Sequence, residues 1–485
     1  MNATDEGATS TNELHADAIV IGTGAAGLCA ALTLGREGAS VIVFEQLGEV
    51  GGMTNHAEGM FAVESKMQKK ANVGLTVDEI FHAHMEETHW RADASLVKKF
   101  MEKSGSNIDW LEDVGVRFSG LYNISAFSPR VWHQFADFGQ EGFIKPLYQR
   151  LRELDNVRVF LETPVQNLLV EDDQVTGVSV RTKTGDGLTA SARVVVIASG
   201  GWQDNKDWLE TYGRSRNIRP IAPSRMTGGP IRMAWDVGAG ESGLGLVQTV
   251  VVVPDEDTNS QLMQAGYQPR LFVNRLGHRY CDESMVWKFP FAGNALINQP
   301  EATAWCIFDE TAKESMKEPN SLLYALGAFF DILKPLPDID SEIERGMRER
   351  KAFRTESLER MAVMIGVEAE DFLPTVETYN RCCDAGYDFV FGKNRRYLQE
   401  IRTPPFYAVR LVPAAFIAMG GIRTNDRMEV LTKDYMAIEG LYAAGCCAGG
   451  YLGGSCEIST TGGSCGFAVF TGRTAGENAL EYLGK

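Results

Sequence analysis

At 485 residues the chain exceeds what one hydrophobic core comfortably serves, so two domains are expected, one of them built from separate stretches of sequence. With 44% hydrophobic and 23% charged residues it reads as an ordinary globular protein, and 47 basic against 64 acidic residues, a net charge of −17, argues against nucleic acid or an anionic membrane as partner. No apolar run reaches the roughly 20 residues that span a bilayer, and the polar, acidic start lacks the basic and apolar regions of a signal peptide, so a cytoplasmic location without membrane insertion is expected.

Residues 1–15 read as a disordered tail. From residue 16, ADAIVI is a short apolar run, GTGAAG a glycine turn, LCAALTLGRE a helix by its apolar spacing, and ASVIVFE a second apolar run. Gly22, Gly24 and Gly27 thus form GxGxxG between a strand and a helix, the context that gives this motif meaning. Gly22 permits the tight turn, Gly24 lets backbone approach a pyrophosphate, and Gly27 allows close helix–strand packing. Ala25 and Ala26 bring helix N-terminal N–H groups toward the phosphates. Glu45, followed by Gln46, ends the second strand, where an acid accepts hydrogen bonds from ribose hydroxyls and disfavours a 2′-phosphate. A second match, Gly238, Gly240 and Gly243, follows the helical PIRMAWDV and reads as a helix C-cap, so no NAD(P)H domain is found. NADH or NADPH remains an expected transient electron donor.

Between Val157 and Thr184 the runs VRVFLE, VQNLLV and VTGVSV, separated by turn residues, predict an antiparallel meander. VVVIASGGW then returns to a buried strand. Residues 250–405 carry longer polar helices, aromatics and prolines and read as an inserted α+β capping domain, flanked by two parts of an α/β Rossmann-type domain at 16–249 and 406–485. The nine cysteines include no CxxC, which removes the usual zinc, iron–sulfur and c-type haem patterns, so no metal is expected.

The segments AIVIGTGAAGLCAALTLGREGASVIVFEQ, GEVGGMTNHAEGM, VVVIASGGW, FVNRLGHRYCDE, AMGGIRTN, GLYAAGCCAGG and GGSCGFAVFTGR occur in the order of the fumarate reductase and succinate dehydrogenase flavoprotein family, which the chain resembles over nearly its whole length. That family includes 3-ketosteroid dehydrogenases and aspartate oxidase. The resemblance implies FAD. It puts Gly51, Gly52 and Thr54 along the flavin and its phosphates, Gly59 and Met60 near the ring, Val165 at the adenine, and Ser199 and Gly200 on the far side. Gly445, Cys446, Ser464 and Cys465 fall near ribityl and pyrimidine atoms. Met53 stands where membrane-type members attach flavin to a histidine, so the FAD is expected to be non-covalent.

The departures bear on substrate. Family members acting on dicarboxylates clamp carboxylates with arginine and histidine. Here the aligned positions are Val250, Trp287 and Phe416 or Ile417, and the last arginine gives way to YLGGSCEISTT. Such a cleft suits a flat apolar, phenolic or steroid-like molecule. By resemblance the expected chemistry is hydride transfer from flavin N5, with removal of a hydroxyl from an isoflavan-4-ol as the first expectation and reduction of an enone or ketosteroid as the second. A subunit that only passes electrons to or from a donor protein is the alternative of another class. Tyr451 and Glu457 are the candidate proton donors, Trp287 the wall, Lys288 a phenolate partner, and His133 a further residue facing the clamp.

Overall fold

The computed structural model describes residues 13–123, 129–213, 217–221, 224–257, 260–288, 290–318, 335–456 and 459–485. The short apolar runs become a six-stranded sheet in the order Glu429–Leu431, Ala437–Ala443, Val194–Ile197, Ala18–Ile21, Val41–Phe44 and Val157–Phe160. All neighbours are parallel except the first pair. Ala18–Ile21, Val41–Phe44 and Val194–Ile197 are buried at every residue, which is why they read as unbroken apolar runs rather than alternating ones.

Two expectations change. VRVF (Val157–Phe160) does not open the meander but forms the parallel edge strand beside Val41–Phe44; a short apolar run carries no information on strand direction. The meander consists of Val165–Glu171, Gln174–Arg181 and Gly187–Ser191. The supposed tail ends in order, because Glu13–His15 pairs parallel with Gly187–Ser191.

The last helix, Gly463–Leu483, returns the chain end to the first helix, Ala25–Arg36. A Cβ at Gly472 would overlap the carbonyl of Ala26, so glycine there sets the close approach of the two axes. The helix Gly229–Asp236 ends as expected, with Gly238 at φ +96° and its N–H donating to Trp235 O.

The inserted region is α+β. Strands Ala304–Asp309, Leu271–Asn274 and Ala352–Thr355 assemble around the long strand Phe406–Ile422, flanked by helices Gln261–Gly266, Pro290–Ile297, Glu310–Met316, Ile339–Arg348, Leu358–Ile365 and Ala369–Ala385. The division between cores falls inside strands: Glu241–Val252 and Phe406–Ile422 pair antiparallel, giving Leu246, Val247 and Ala415 to the dinucleotide-binding core and Val251, Val409 and Leu411 to the capping core. The second crossover therefore lies beyond residue 405. No helix among the described residues is long and apolar enough to cross a membrane.

Candidate active site

The glycine turn is built as its spacing requires. Gly22 sits at φ +104°, where a Cβ would lie 2.5 Å from Ala198 O, and a Cβ on Gly27 would overlap the Gly22 carbonyl. Gly24 caps the first helix, and the atoms nearest its missing Cβ are Thr54 Oγ1 at 3.7 Å and Gly51 O at 3.8 Å. A side chain there would fill the cradle at the helix N-terminus, and that open space is what a pyrophosphate needs. Thr54 Oγ1 accepts from Ala25 N at 3.1 Å and fixes the turn 51–54 against the cradle. The residues present fit an adenine dinucleotide.

Glu45 is buried at the end of its strand. One carboxylate oxygen accepts from Thr23 N (3.0 Å) and Thr23 Oγ1 (2.6 Å), the other from Leu47 N (2.9 Å). These bonds hold the acid in place, and the second oxygen keeps a lone pair for a ribose hydroxyl. Gln46 instead points its amide at Arg225 O, 3.3 Å away. Val165 begins the meander, 8% exposed.

On the other side of the groove, Gly59 and Met60 lie in a strand paired with Gln134 and His133, and Phe61 N donates to Gly462 O just before the last helix. Gly445 N donates to Thr471 Oγ1 on that helix. Ser464 and Cys465 occupy its first turn, half-buried, with Cys446 nearby. Burial pushes the Cys446 and Cys465 thiols up to about 12, which favours the neutral thiol near pH 7. Met53, in the short helical turn Gly52–His56, is half-buried, as are Ser199 and Gly200 after the strand Val194–Ile197.

The predicted substrate residues divide. Val250 pairs with Ala414, and Thr249 with Ala415, yet Gln248 pairs with Ile417, so Phe416 is the extra residue of a bulge. Phe416 and Ile417 are the two adjacent half-buried residues in an otherwise buried stretch of that strand, and Ile417 packs against the dinucleotide-binding core. Trp287 ends the turn Glu283–Trp287, 9% exposed, its ring edge-on to Tyr267 at 6.0 Å. The indole Nε1–H is buried with no acceptor among the described residues. Lys288 follows, its ammonium 5.7 Å from the centre of the Phe291 ring.

Two candidates lie buried within the fold. Tyr451 is 2% exposed and packs between His84 and Phe467, and its hydroxyl meets Thr460 Oγ1 at 2.6 Å. These contacts hold the loop against the last helix. His133 is fully buried: Nδ1–H donates to Val131 O (3.0 Å), leaving Nε2 to accept from Ser65 Oγ (2.7 Å). Burial pushes its pKa down to about 4, so the ring is neutral and structural. Glu457 lies outside the described residues.

Sequence reasoning missed a polar link. Thr249 Oγ1 donates to Asn294 Oδ1 (2.9 Å), and Asn294 Nδ2 donates to Ser455 Oγ (2.7 Å), tying the inner strand, the capping helix Pro290–Ile297 and the C-terminal insertion together. Three neutral residues so far apart in sequence carry no pattern that would have announced it.

Comparison with known proteins settles the cofactor class. The model of the FAD binding domain family matches residues 17–462. The chain belongs to that family. It is 30% identical over 479 residues to the vinyl phenol reductase of Lactiplantibacillus plantarum, covering 96% of both chains. An open-form flavocytochrome c3 fumarate reductase superposes with a TM-score of 0.74 at 26% identity, covering 97% of this chain and 79% of that one. The 3-ketosteroid-delta4-(5alpha)-dehydrogenase of Rhodococcus jostii RHA1 gives 0.75 at 24%, covering 97% and 98%, a likeness of fold. The chain is an FAD-dependent oxidoreductase of the fumarate reductase-like group.

Proposed function

We propose that this flavoenzyme reduces a flat phenolic substrate, most specifically an isoflavan-4-ol, replacing its hydroxyl with hydrogen as tetrahydrodaidzein reductase does in forming equol. Bound FAD, once reduced, supplies the hydride. The reading is supported by the sequence on the substrate side: by the family resemblance Val250, Trp287 and Phe416 or Ile417 fall where a dicarboxylate enzyme needs fixed positive charge. Phe416, the extra residue of the bulge and only half-buried, offers apolar surface to an aromatic ring. The Trp287 N–H is a neutral donor for a substrate oxygen, and Lys288 beside it stabilises a phenolate. Ionisation of that phenol helps expel the benzylic hydroxyl, whose proton comes from Glu457 or solvent now that Tyr451 faces the core. A transient nicotinamide or a donor protein returns electrons to the enzyme.

A second reading, reduction of a conjugated C=C bond in a phenolic alkene or an enone, is supported by similarity to vinyl phenol reductase. Anaerobically reduced enzyme mixed with tetrahydrodaidzein, 4-vinylphenol, a 3-keto-4-ene steroid or fumarate separates the readings by the rate of flavin reoxidation. Fastest reoxidation by tetrahydrodaidzein is expected; fastest reoxidation by fumarate would overturn the apolar-cleft reading while leaving FAD intact. Equal indifference to all four points to an electron-transfer subunit.

A further inference from the structure

Met226 lies between two glycines expected to line the cofactor: a Cβ on Gly200 would lie 2.8 Å from both Sδ and Cε of Met226, and one on Gly52 would lie 3.7 Å from the same methyl. Gly52 belongs to the turn held at the helix N-terminus through Thr54, and Gly200 follows the strand that flanks Gly22. Met226 therefore sits between the turn beside the helix N-terminus and the end of the strand next to Ala18–Ile21.

The segment 224–227 is pinned by three consecutive residues that directly follow GGW. Asp204 Oδ2 accepts from Ser224 N (2.7 Å), Ser224 Oγ (2.5 Å) and Met226 N (3.0 Å), and Asp204 N donates to Met226 O (3.0 Å). Gln203 Nε2 donates to Ser224 Oγ (3.1 Å) and to Met226 Sδ (3.2 Å). Asn205 Nδ2 donates to Thr227 O (2.9 Å). Gln46, one residue past the ribose-binding acid, holds Arg225 O. Arg225 sits at φ +57°, a left-handed conformation that a non-glycine residue keeps only where its surroundings over-determine it.

A second observation points to a ligand. Gln203 is 2% exposed, and its Oε1 has no donor among the described residues although its Nε2 is fully engaged. A buried acceptor without a donor is costly, and FAD carries ribityl hydroxyls and a ring N–H that can donate. Methionine suits this position, being unbranched, polarisable and favourable against aromatic rings.

We propose that residues 224–227 form a strap over bound FAD, with Met226 retaining the cofactor and Gln203 Oε1 accepting one of its hydrogen bonds. The inference rests on FAD binding and not on any substrate. It is tested by titrating flavin-free protein with FAD and following flavin fluorescence, for Met226→Ala, Met226→Leu and Asp204→Ala. Met226→Ala and Asp204→Ala weaken FAD binding roughly tenfold, the order expected for losing one buried thioether contact, and Met226→Leu restores most of it. On the unaltered chain, hydrogen peroxide converts Met226 to its sulfoxide more slowly with FAD bound than without, read by peptide mass spectrometry. Undiminished FAD affinity in Met226→Ala, or equal oxidation in both states, would overturn the strap; failure of the wild type to take up FAD would instead overturn the cofactor assignment. Should Asp204→Ala fail to fold, the Met226 variants and the oxidation rates still decide.

Discussion

The rings of Tyr451 and Phe467 stack with centroids 4.8 Å apart and planes 14° from parallel, while His84 covers the opposite face of Tyr451 at 5.1 Å. His84 Nε2 also donates to the Tyr451 carbonyl at 2.9 Å, so helix Val77–Glu87 and helix Gly463–Leu483 meet through this residue. The hydroxyl bonds with Thr460 Oγ1. Tyr451→Phe is expected to keep turnover within about twofold and to cost about 1 kcal/mol of stability, the worth of one buried hydrogen bond. Tyr451→Ala loses about 3–5 kcal/mol through the cavity it opens. Urea unfolding and single-turnover flavin reoxidation measure both; a large rate loss in Tyr451→Phe with unchanged stability would return the residue to the chemistry.

His133 makes stability depend on pH. Its pKa falls from 6.5 to about 4 in the folded protein because burial disfavours the charged ring. As pH drops below 6.5 the unfolded chain takes up a proton that the native ring refuses, so stability declines between pH 6.5 and 4 and levels off below that, by about 3 kcal/mol in all. His133→Gln, which can still donate to Val131 O, should flatten that acid limb in unfolding titrations across pH 4–7. An unchanged slope in the variant would mean that other groups produce it.

Arg279 is the centre of a buried ion cluster. It makes paired hydrogen bonds to Glu283 (2.8 and 2.9 Å) and to Asp388 (3.0 and 2.8 Å), and Lys393 reaches Glu283 at 3.1 Å. Against the burial that would raise it, Arg279 holds the Asp388 carboxyl below the usual carboxylate range. The cluster anchors the turn that ends in Trp287. Arg279→Met leaves two buried carboxylates with one cation and is expected to cost about 3–5 kcal/mol, whereas removing the solvent-screened Lys98–Asp78 pair is expected to leave the midpoint nearly unchanged. Denaturant midpoints of the two variants, compared directly, test the contrast.

What was legible in the sequence was what is local. Gly22, Gly24, Gly27 and Glu45 could be read because strand, turn, helix and acid follow one another within thirty residues and each residue type answers a steric or hydrogen-bonding need there. Tyr451 could not, because its burial depends on His84, distant in the chain. The direction of Val157–Phe160 could not, since apolar patterning records burial and not polarity of pairing. Met226 stayed hidden for the same reason as Tyr451: its position has meaning only once Gly52 and Gly200 are seen on either side of it.

Trp287 presents the remaining test. An indole N–H that is buried without an acceptor costs stability, roughly 1–3 kcal/mol, unless a ligand oxygen repays it. Trp287→Phe removes the donor and keeps an aromatic ring against Tyr267. The unliganded variant is therefore expected to be at least as stable as the wild type, within about 1 kcal/mol, because the loss of indole volume is offset by the loss of an unsatisfied group. Its KM for a phenolic substrate should rise roughly tenfold with little change in kcat, since the lost bond serves ground state and transition state alike. A substrate analogue lacking the oxygen should show no such rise. Thermal melts and steady-state kinetics on the matched pair decide: equal KM changes for both compounds would reduce Trp287 to packing, and a collapse in kcat alone would place it at the reacting atoms.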